Sequence, residues 1–304
     1  MRVLAIVGPT ASGKSALAVA VARALPGVAE VVGTDSMQVY RGMDIGTATP
    51  TAAERAGVRH HLIDEWDPGH AVSVAEFQQH ARRAIDDILG REAVPVVVGG
   101  SGLYVSAVLD DLRFPGTDAS VRARLEGELA DMGSAAMHER LRAVDPAAAE
   151  AILPSNGRRI VRALEVVELT GEPFVAHLPD PVSVYPTVRI GLDVPRDELD
   201  ARIAARVERM WADGFVEEVR ALEVHGLSAT PTASRALGYQ QVLALLAGQC
   251  SEQDARQETI DATRRFARRQ QRWFRRDGRI RWIPYDSEDA VEEVLAAWGS
   301  DTDT

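Results

Sequence analysis

The chain contains very little lysine and cysteine. Lys14 is the one lysine among 34 basic residues in a chain of 304, and Cys250 is the one cysteine. A single cysteine excludes an intrachain disulfide and a zinc site built from several cysteines. Long hydrophobic runs are also lacking, since the first one, Val3–Val7, is interrupted by Gly8 and Pro9. This pattern argues against a signal peptide or a membrane span, and we expect a globular cytoplasmic protein without a membrane partner.

Negative charge predominates, but it is unevenly distributed. The formal net charge is −11, which by itself argues against a nucleic-acid partner. Between Arg256 and Arg281, however, ten arginines stand against three acidic residues, so this segment carries +7 and the rest of the chain −18. The stretch TRRFARRQQRWFRR fits a solvated charged helix face over an aromatic contact, or a helix that follows nucleic-acid phosphates. The scarcity of neighbouring acids favours the second interpretation.

Three predicted strands near the N-terminus each end at a glycine. These strands are the apolar runs Val3–Val7, Glu30–Val32 and Val94–Val98. Continuous runs rich in valine are typical of strands that are buried on both faces of a parallel sheet. Ligands bind beyond the carboxyl ends of such strands. The loops GPTASGKS, GTDS and GGSG are therefore expected to lie together at one edge of the sheet and to hold the chemistry.

The middle of the chain has a purely helical pattern. Three segments carry apolar residues at spacings of three and four, and the block is punctuated at its ends by Pro115, Gly116, Pro179 and Pro181. We predict an all-helical insertion at residues 111–182, within an α/β core at residues 1–110 and 183–304. The core is expected to be a P-loop NTPase-like parallel sheet flanked by helices. One of these helices is delimited by a capping pattern at Ser73 and by Gly90.

The first loop matches the phosphate-binding pattern G-x-x-x-x-G-K-S. In this pattern backbone amides surround an anion, Lys14 contacts phosphate oxygens and Ser15 offers its hydroxyl to Mg²⁺. The lone lysine fits this interpretation, because a compact ammonium reaches into a tight loop where a planar guanidinium would not fit. The pattern does not distinguish phosphoryl transfer from the departure of a whole diphosphate. The predicted phosphate-binding residues are Gly8, Pro9, Thr10, Ala11, Ser12, Gly13, Lys14 and Ser15.

Asp35 follows the second predicted strand and has three interpretations. It is a helix N-cap, an outer partner of Mg²⁺, or a general base that accepts a proton from a nucleophile bound opposite the leaving group. The nearby histidines of HHLID give a metal site little support, because adjacent side chains in a strand point to opposite faces.

Six motifs together resemble the tRNA dimethylallyltransferases, also called tRNA isopentenyltransferases. They are GPTASGKS, DSMQVYRGMDIGTATP, HHLID, GGSGLYV, RRIVRALEVVELTG and TRRFARRQQRWFRR, and they occur in the expected order from Gly8 to about Arg276. The resemblance implies transfer of a dimethylallyl group from dimethylallyl diphosphate to the exocyclic N6 amine of the adenine just 3′ of the anticodon. It also implies that Mg²⁺ assists the departure of diphosphate.

The resemblance further implies a set of site residues. The phosphate loop would hold the diphosphate, Asp35 would take the proton from the amine, and Lys14, Ser101 and Arg206 would be the other catalytic residues. The family usually has threonine where Ser101 stands, and serine keeps the hydroxyl. The implied partners are dimethylallyl diphosphate and the anticodon stem-loop of tRNA, bound by a monomer. The implied tRNA-binding residues are Asp35, Ser36, Met37, Gln38, Ser101, Arg122, Arg158, Arg159, Ile160, Val161, Arg162, Arg235, Gly238, Tyr239 and Gln240.

Three alternatives remain open at this point. An adenylate isopentenyltransferase has similar core motifs and would act on AMP instead of tRNA. A small-molecule kinase of the shikimate-kinase kind also has a phosphate loop and an aspartate after the second strand, but it has no use for an arginine-rich helix. A non-enzymatic RNA-binding protein would need neither Lys14 nor Asp35.

Overall fold

The computed structural model describes residues 2–174, 181–230 and 232–300. In these residues six strands form one sheet, and every pair of neighbouring strands is parallel. The strand order is β3-β2-β4-β1-β5-β6. The strands are β1 (Val3–Val7), β2 (Ala29–Gly33), β3 (His60–His61), β4 (Val94–Gly99), β5 (Thr187–Asp193) and β6 (Ile280–Pro284).

The chain folds into two compact units, one made of the residues up to Asp110 together with those from Ser183, and the other of Asp111–Val182. The first unit contains the sheet and the helices α1 (Lys14–Ala24), α2 (Ala52–Arg55), α3 (Val74–Gly90) and α4 (Gly102–Leu109). The second contains α5 (Ala119–Val144), α6 (Pro146–Ala151) and α7 (Gly157–Thr170). The first unit then continues with α8 (Arg196–Ala212), α9 (Phe215–Val224), α10 (Tyr239–Leu246), α11 (Glu252–Phe274) and α12 (Ala290–Ser300).

Hydrophobic residues of β1 explain why the sheet lies in the centre of the first unit. Val3, Ala5 and Val7 belong to one hydrophobic cluster, whereas Leu4 and Ile6 belong to another. Alternate side chains of a strand point to opposite faces, so both faces of β1 are covered. The α/β fold with a parallel sheet, predicted from the continuous apolar runs, is therefore confirmed.

The helix α3 begins and ends where its local sequence predicts. The hydroxyl of Ser73 accepts a hydrogen bond from the amide of Glu76 at 3.1 Å, and the helix runs to Gly90. The buried residues Phe77, Ala81, Ile85 and Ile88 lie at spacings of three and four, which places them on one face towards the core.

The second unit has its own hydrophobic core. This core contains Leu125, Met137 and Leu141 of α5 together with Ile160 and Leu164 of α7. Within α5 the backbone leaves the helical conformation at one glycine, residue 133, which has a φ of 78°. In the part of the chain that the structure describes, no helix has both the length and the hydropathy that crossing a membrane requires.

Candidate active site

The phosphate loop connects β1 to α1 and is held from two other helices. Ala11 has a φ of 63°, a left-handed conformation that is costly for a residue with a side chain. Arg202 of α8 donates from Nε to the Ala11 carbonyl at 2.9 Å, and the Thr10 amide donates to Oε1 of Gln270 in α11 at 2.9 Å. The first amides of α1 have no partner within the helix, so this end of the loop favours an anion.

Two cations lie beside this loop. Arg206 of α8 donates to the Thr10 hydroxyl at 3.1 Å and to the Thr47 carbonyl at 3.2 Å. Lys14 donates from Nζ to the Pro9 carbonyl at 3.2 Å. Burial, followed by the nearby charge of Arg206, lowers the pKa of Lys14 from 10.5 to about 8. Burial also lowers the pKa of Arg206. Both cations are thus destabilised in the free protein, and a bound anion would relieve this cost.

Asp35 brings a carboxylate to the same place. It follows β2, and its Oδ1 accepts a hydrogen bond from the Met37 amide at 2.9 Å, which fixes the side chain in a local turn. Its negative charge raises the pKa values of both Lys14 and Arg206, against the effect of burial. Next to it, Gln38 donates to the carbonyls of residues 47 and 48 at 3.2 Å each. The second loop therefore places the carboxylate of Asp35 near the two cations, Lys14 and Arg206.

The third loop passes very close to α11. A Cβ atom on Gly102 would lie 2.1 Å from the ring of Trp273, so no larger residue fits without a shift. Ser101 is the N-cap residue of α4, but its hydroxyl makes no capping hydrogen bond and the residue is partly exposed. The Ser101 hydroxyl is consequently not committed to the helix.

The donor set around the phosphate loop suits magnesium better than a transition metal. The described residues contain no group of three or more histidine, cysteine, aspartate or glutamate side chains that could hold a metal ion. His61 instead contacts Glu30 at 2.6 Å. Ser15 is exposed at the start of α1, and Mg²⁺ is typically bound by few protein oxygens together with substrate phosphates and water. The Ser15 hydroxyl fits such a site.

Predicted RNA contacts in the helical unit fall into three groups. The side chains of Arg158 and Arg159 are exposed at the start of α7. Arg122 and Arg162 instead pair with Glu165, which is 0% exposed, at 2.5 and 2.6 Å. Burial opposes ionisation of Glu165, but hydrogen bonds from Arg122, Thr117 and Arg162 outweigh it and lower the pKa. The third group, Ile160 and Val161, is 0% and 1% exposed. The side chains of these two residues are therefore not accessible to RNA.

The predicted RNA contacts in the segment RALGYQ, residues 235–240, are divided in the same way. Gln240 and Arg235 are exposed, whereas Gly238 and Tyr239 are buried. The Tyr239 hydroxyl donates to Glu218 at 2.6 Å, and burial together with the Glu218 charge raises the pKa of this tyrosine. The Tyr239 side chain is thus a core residue, and a direct contact with RNA is not available to it.

More of the arginines in α11 and just after it form ion pairs with acidic residues than the sequence indicates. Acidic residues from other elements pair with Arg256, Arg268 and Arg275, namely Glu208 at 2.9 Å, Asp200 at 3.5 Å and Asp193. The prediction of a helix without compensating acids is therefore wrong for these positions. Within the described residues, the arginines that form no ion pair are found towards the end of the segment, and they include Arg269, Arg272, Arg276 and Arg281.

Sequence reasoning missed two residues that organise the site. Gln270 supports the phosphate loop, and Glu218 accepts hydrogen bonds from the amides of residues 44, 45 and 46 at 3.0, 2.6 and 3.2 Å. A signal existed for Gln270, because it lies on the same helical face as the buried residues Ala267 and Phe274. A polar residue on a buried face needs a partner. No such signal existed for Glu218.

Comparisons with known proteins agree with the geometry. The family model for IPP transferase matches residues 38–277. A tRNA dimethylallyltransferase of Thermobifida fusca is 60% identical over 299 residues, covering 97% of this chain and 93% of the relative. One of Salinispora arenicola is 62% identical over 295 residues, covering 97% and 86%.

Solved structures match over nearly the whole chain. The full-length tRNA isopentenylpyrophosphate transferase of Bacillus halodurans is 40% identical, with a TM-score of 0.73, and the match covers 98% of this chain and 96% of that one. A eukaryotic dimethylallyltransferase crystallised while acting on tRNA has a TM-score of 0.82 at 24% identity, covering 98% of this chain and 78% of that one, which supports the fold. The extent of these matches shows that the chain belongs to the tRNA dimethylallyltransferase family, the IPP transferases.

Proposed function

We propose that this enzyme transfers the dimethylallyl group of dimethylallyl diphosphate to the N6 amine of the adenine immediately 3′ of the anticodon in tRNA, releasing diphosphate. The observation that carries this proposal is the pairing of an anion site with a base. Lys14 and Arg206 lie beside the phosphate loop, and the negative charge of Asp35 raises the pKa of both. A leaving anion and a proton acceptor are the two requirements of this reaction.

In the proposed reaction a bond forms between N6 of adenine and C1 of the dimethylallyl group, while the bond from C1 to the diphosphate oxygen breaks. The proton released by N6 passes to the carboxylate of Asp35. The amides at the start of α1, together with Lys14 and Arg206, stabilise the charge that develops on the diphosphate. Ser15 would hold Mg²⁺, which supplies further neutralisation of that charge when bound.

The acceptor adenine must leave its stack to reach this site, and a loop base is easier to extract than a base in a duplex. We propose that Ser36, Met37, Gln38 and Ser101 surround the extracted base. Arg158, Arg159, Arg235 and Gln240 are at least partly exposed and are proposed to contact the RNA outside the pocket. Arg122 and Arg162 would share their guanidinium groups between Glu165 and an RNA phosphate.

The test is incubation of the protein with labelled dimethylallyl diphosphate, Mg²⁺ and unmodified tRNA, followed by mapping of the labelled nucleotide. Label on the adenine 3′ of the anticodon is the expected result. Parallel reactions with AMP in place of tRNA, and with labelled ATP and shikimate, separate the alternatives. Transfer to AMP at an equal rate, or phosphoryl transfer from ATP, would overturn the proposal. We further propose a monomer that acts in the cytoplasm, and size-exclusion chromatography with light scattering tests its oligomeric state.

A further inference from the structure

A buried glutamine connects the arginine-rich helix to the phosphate loop. Gln270 of α11 is 6% exposed, and its Oε1 accepts the hydrogen bond from the Thr10 amide at 2.9 Å. The two residues are 260 positions apart in the sequence. The carboxamide thus supports the loop that carries Lys14 from a distant part of the chain.

The same carboxamide also touches the third loop. A Cβ atom on Gly100 would lie 2.6 Å from Nε2 of Gln270 and 3.0 Å from the carbonyl oxygen of Gly8. Gln270 therefore lies between the first and third loops, and it approaches the third loop at Gly100, the residue that precedes Ser101. A glycine at position 100 is required for this approach, because any side chain there would displace the carboxamide.

These contacts determine which amides of the phosphate loop are available to an anion. Pro9 has no N–H group, and the N–H group of Thr10 is taken by Gln270. Arg206 holds the hydroxyl of the same threonine at 3.1 Å, so Thr10 is fixed through both its backbone and its side chain. The Ser12 amide donates to the Pro9 carbonyl at 3.3 Å, which leaves the amides of Ala11 and of Gly13 to Ser15 available to the diphosphate.

We propose that Gln270 is a positioning residue. It holds the phosphate loop in the conformation that binds diphosphate, and it links the helix α11 to this loop. This inference rests on the proposed function for the identity of the anion, but not for the existence of the link. Loss of the hydrogen bond from Thr10 would let the loop adopt conformations in which its amides no longer converge. Such a loss weakens diphosphate binding by about tenfold, the effect of one neutral hydrogen bond.

The test compares Gln270→Met with Gln271→Met in the full-length protein. Gln271 is the adjacent residue of α11, is partly exposed and donates to the carbonyl of Val194 at 3.3 Å, so it controls for loss of an amide on the same helix. Binding of inorganic pyrophosphate with Mg²⁺ is measured by calorimetry, tRNA binding by filter retention, and KM and kcat with dimethylallyl diphosphate by transfer assay. The Thr10 amide is followed by NMR after labelling with ¹⁵N-threonine.

Gln270→Met is expected to bind pyrophosphate about tenfold more weakly and to raise KM for dimethylallyl diphosphate by a similar factor. Its tRNA affinity and melting temperature are expected to match those of Gln271→Met, and its Thr10 amide resonance to move upfield. Wild-type pyrophosphate affinity in Gln270→Met would overturn the inference. Equal losses of pyrophosphate affinity, tRNA affinity and thermal stability would overturn it as well, because they indicate a packing role.

Gln270→Glu keeps the inference testable where Gln270→Met does not fold. Its carboxylate retains an acceptor for the Thr10 amide but adds negative charge beside the loop, so pyrophosphate binding must weaken while the Thr10 resonance does not move upfield. Unchanged pyrophosphate binding by this variant would contradict the geometry. The proposed function fails separately, if the wild-type protein transfers no dimethylallyl group to tRNA while the pyrophosphate measurements still distinguish the variants.

Discussion

Raising the pH is expected to remove a positive charge from the phosphate loop by deprotonating Lys14. In the free protein the pKa of this residue is lowered from 10.5 to about 8, first by burial and then by Arg206. A bound diphosphate favours the ammonium form and returns the pKa towards its ordinary value. Because the complex then holds a proton that the free protein has lost, affinity falls as the pH rises through the pKa of the free protein. By linkage the fall is about tenfold between pH values of about 7 and about 9.

The measurement is calorimetric binding of dimethylallyl diphosphate without tRNA across this pH range. The last ionisation of the terminal phosphate has a pKa of about 6, so this group is almost fully ionised across the range and its own titration contributes little. Lys14→Met is the control, since it should bind weakly with a flat profile. Lys14→Arg keeps a charge at every pH but is expected to bind poorly throughout, because its planar guanidinium does not fit the loop. A flat profile for the wild-type protein, with Lys14→Met still weak, would refute the assignment of the titrating group.

Three further predictions test the base, the core and the RNA surface. Asp35→Asn is expected to keep tRNA affinity and to lower kcat by about a hundredfold or more, whereas unchanged turnover would exclude a general base here. Tyr239→Phe loses the hydrogen bond to Glu218 and should lower the free energy of unfolding in urea by about 1 kcal/mol. Its tRNA affinity should not change, and a selective loss of that affinity would restore an RNA contact for the side chain. The double variant Arg269→Gln, Arg272→Gln should make the logarithm of the tRNA affinity fall less steeply with the logarithm of the salt concentration, by the equivalent of about two phosphate contacts. An unaltered slope would show that α11 does not contact the RNA.

Features that depend on neighbours in the sequence could be predicted. The run Val3–Val7 forms β1 with the predicted limits, and Ser73 caps α3 as its spacing from Glu76 indicates. In both cases the residues that carry the signal lie within a few positions of one another in the sequence, although β1 itself pairs with the distant strands β4 and β5. A β-branched run buried on two faces and a hydroxyl three residues before a glutamate each leave a local signature. Such signatures were sufficient for the fold class and for the phosphate loop.

Features that depend on tertiary contacts could not be predicted. The arginines of α11 looked uncompensated, because the sequence around them contains few acids. In the fold, α8 brings Asp200 and Glu208 against Arg268 and Arg256. An amphipathic pattern identifies the face of a helix that is buried, but it does not identify which element covers the remaining faces. Glu218 was missed for the same reason, because its three amide partners lie more than 170 positions away.

The arrangement of charges explains why one lysine is kept in a chain of arginines. Arg206 uses its fork to hold two fixed oxygens, those of Thr10 and Thr47, and so acts as part of the frame. Among the described residues Lys14 has one protein acceptor, the Pro9 carbonyl at 3.2 Å, and an ammonium group has three donors. Two of its donors therefore remain for a ligand. Because burial and Arg206 destabilise this ammonium in the free protein, the arrival of a diphosphate relieves a cost that already exists, and the same charge then stabilises the departing anion.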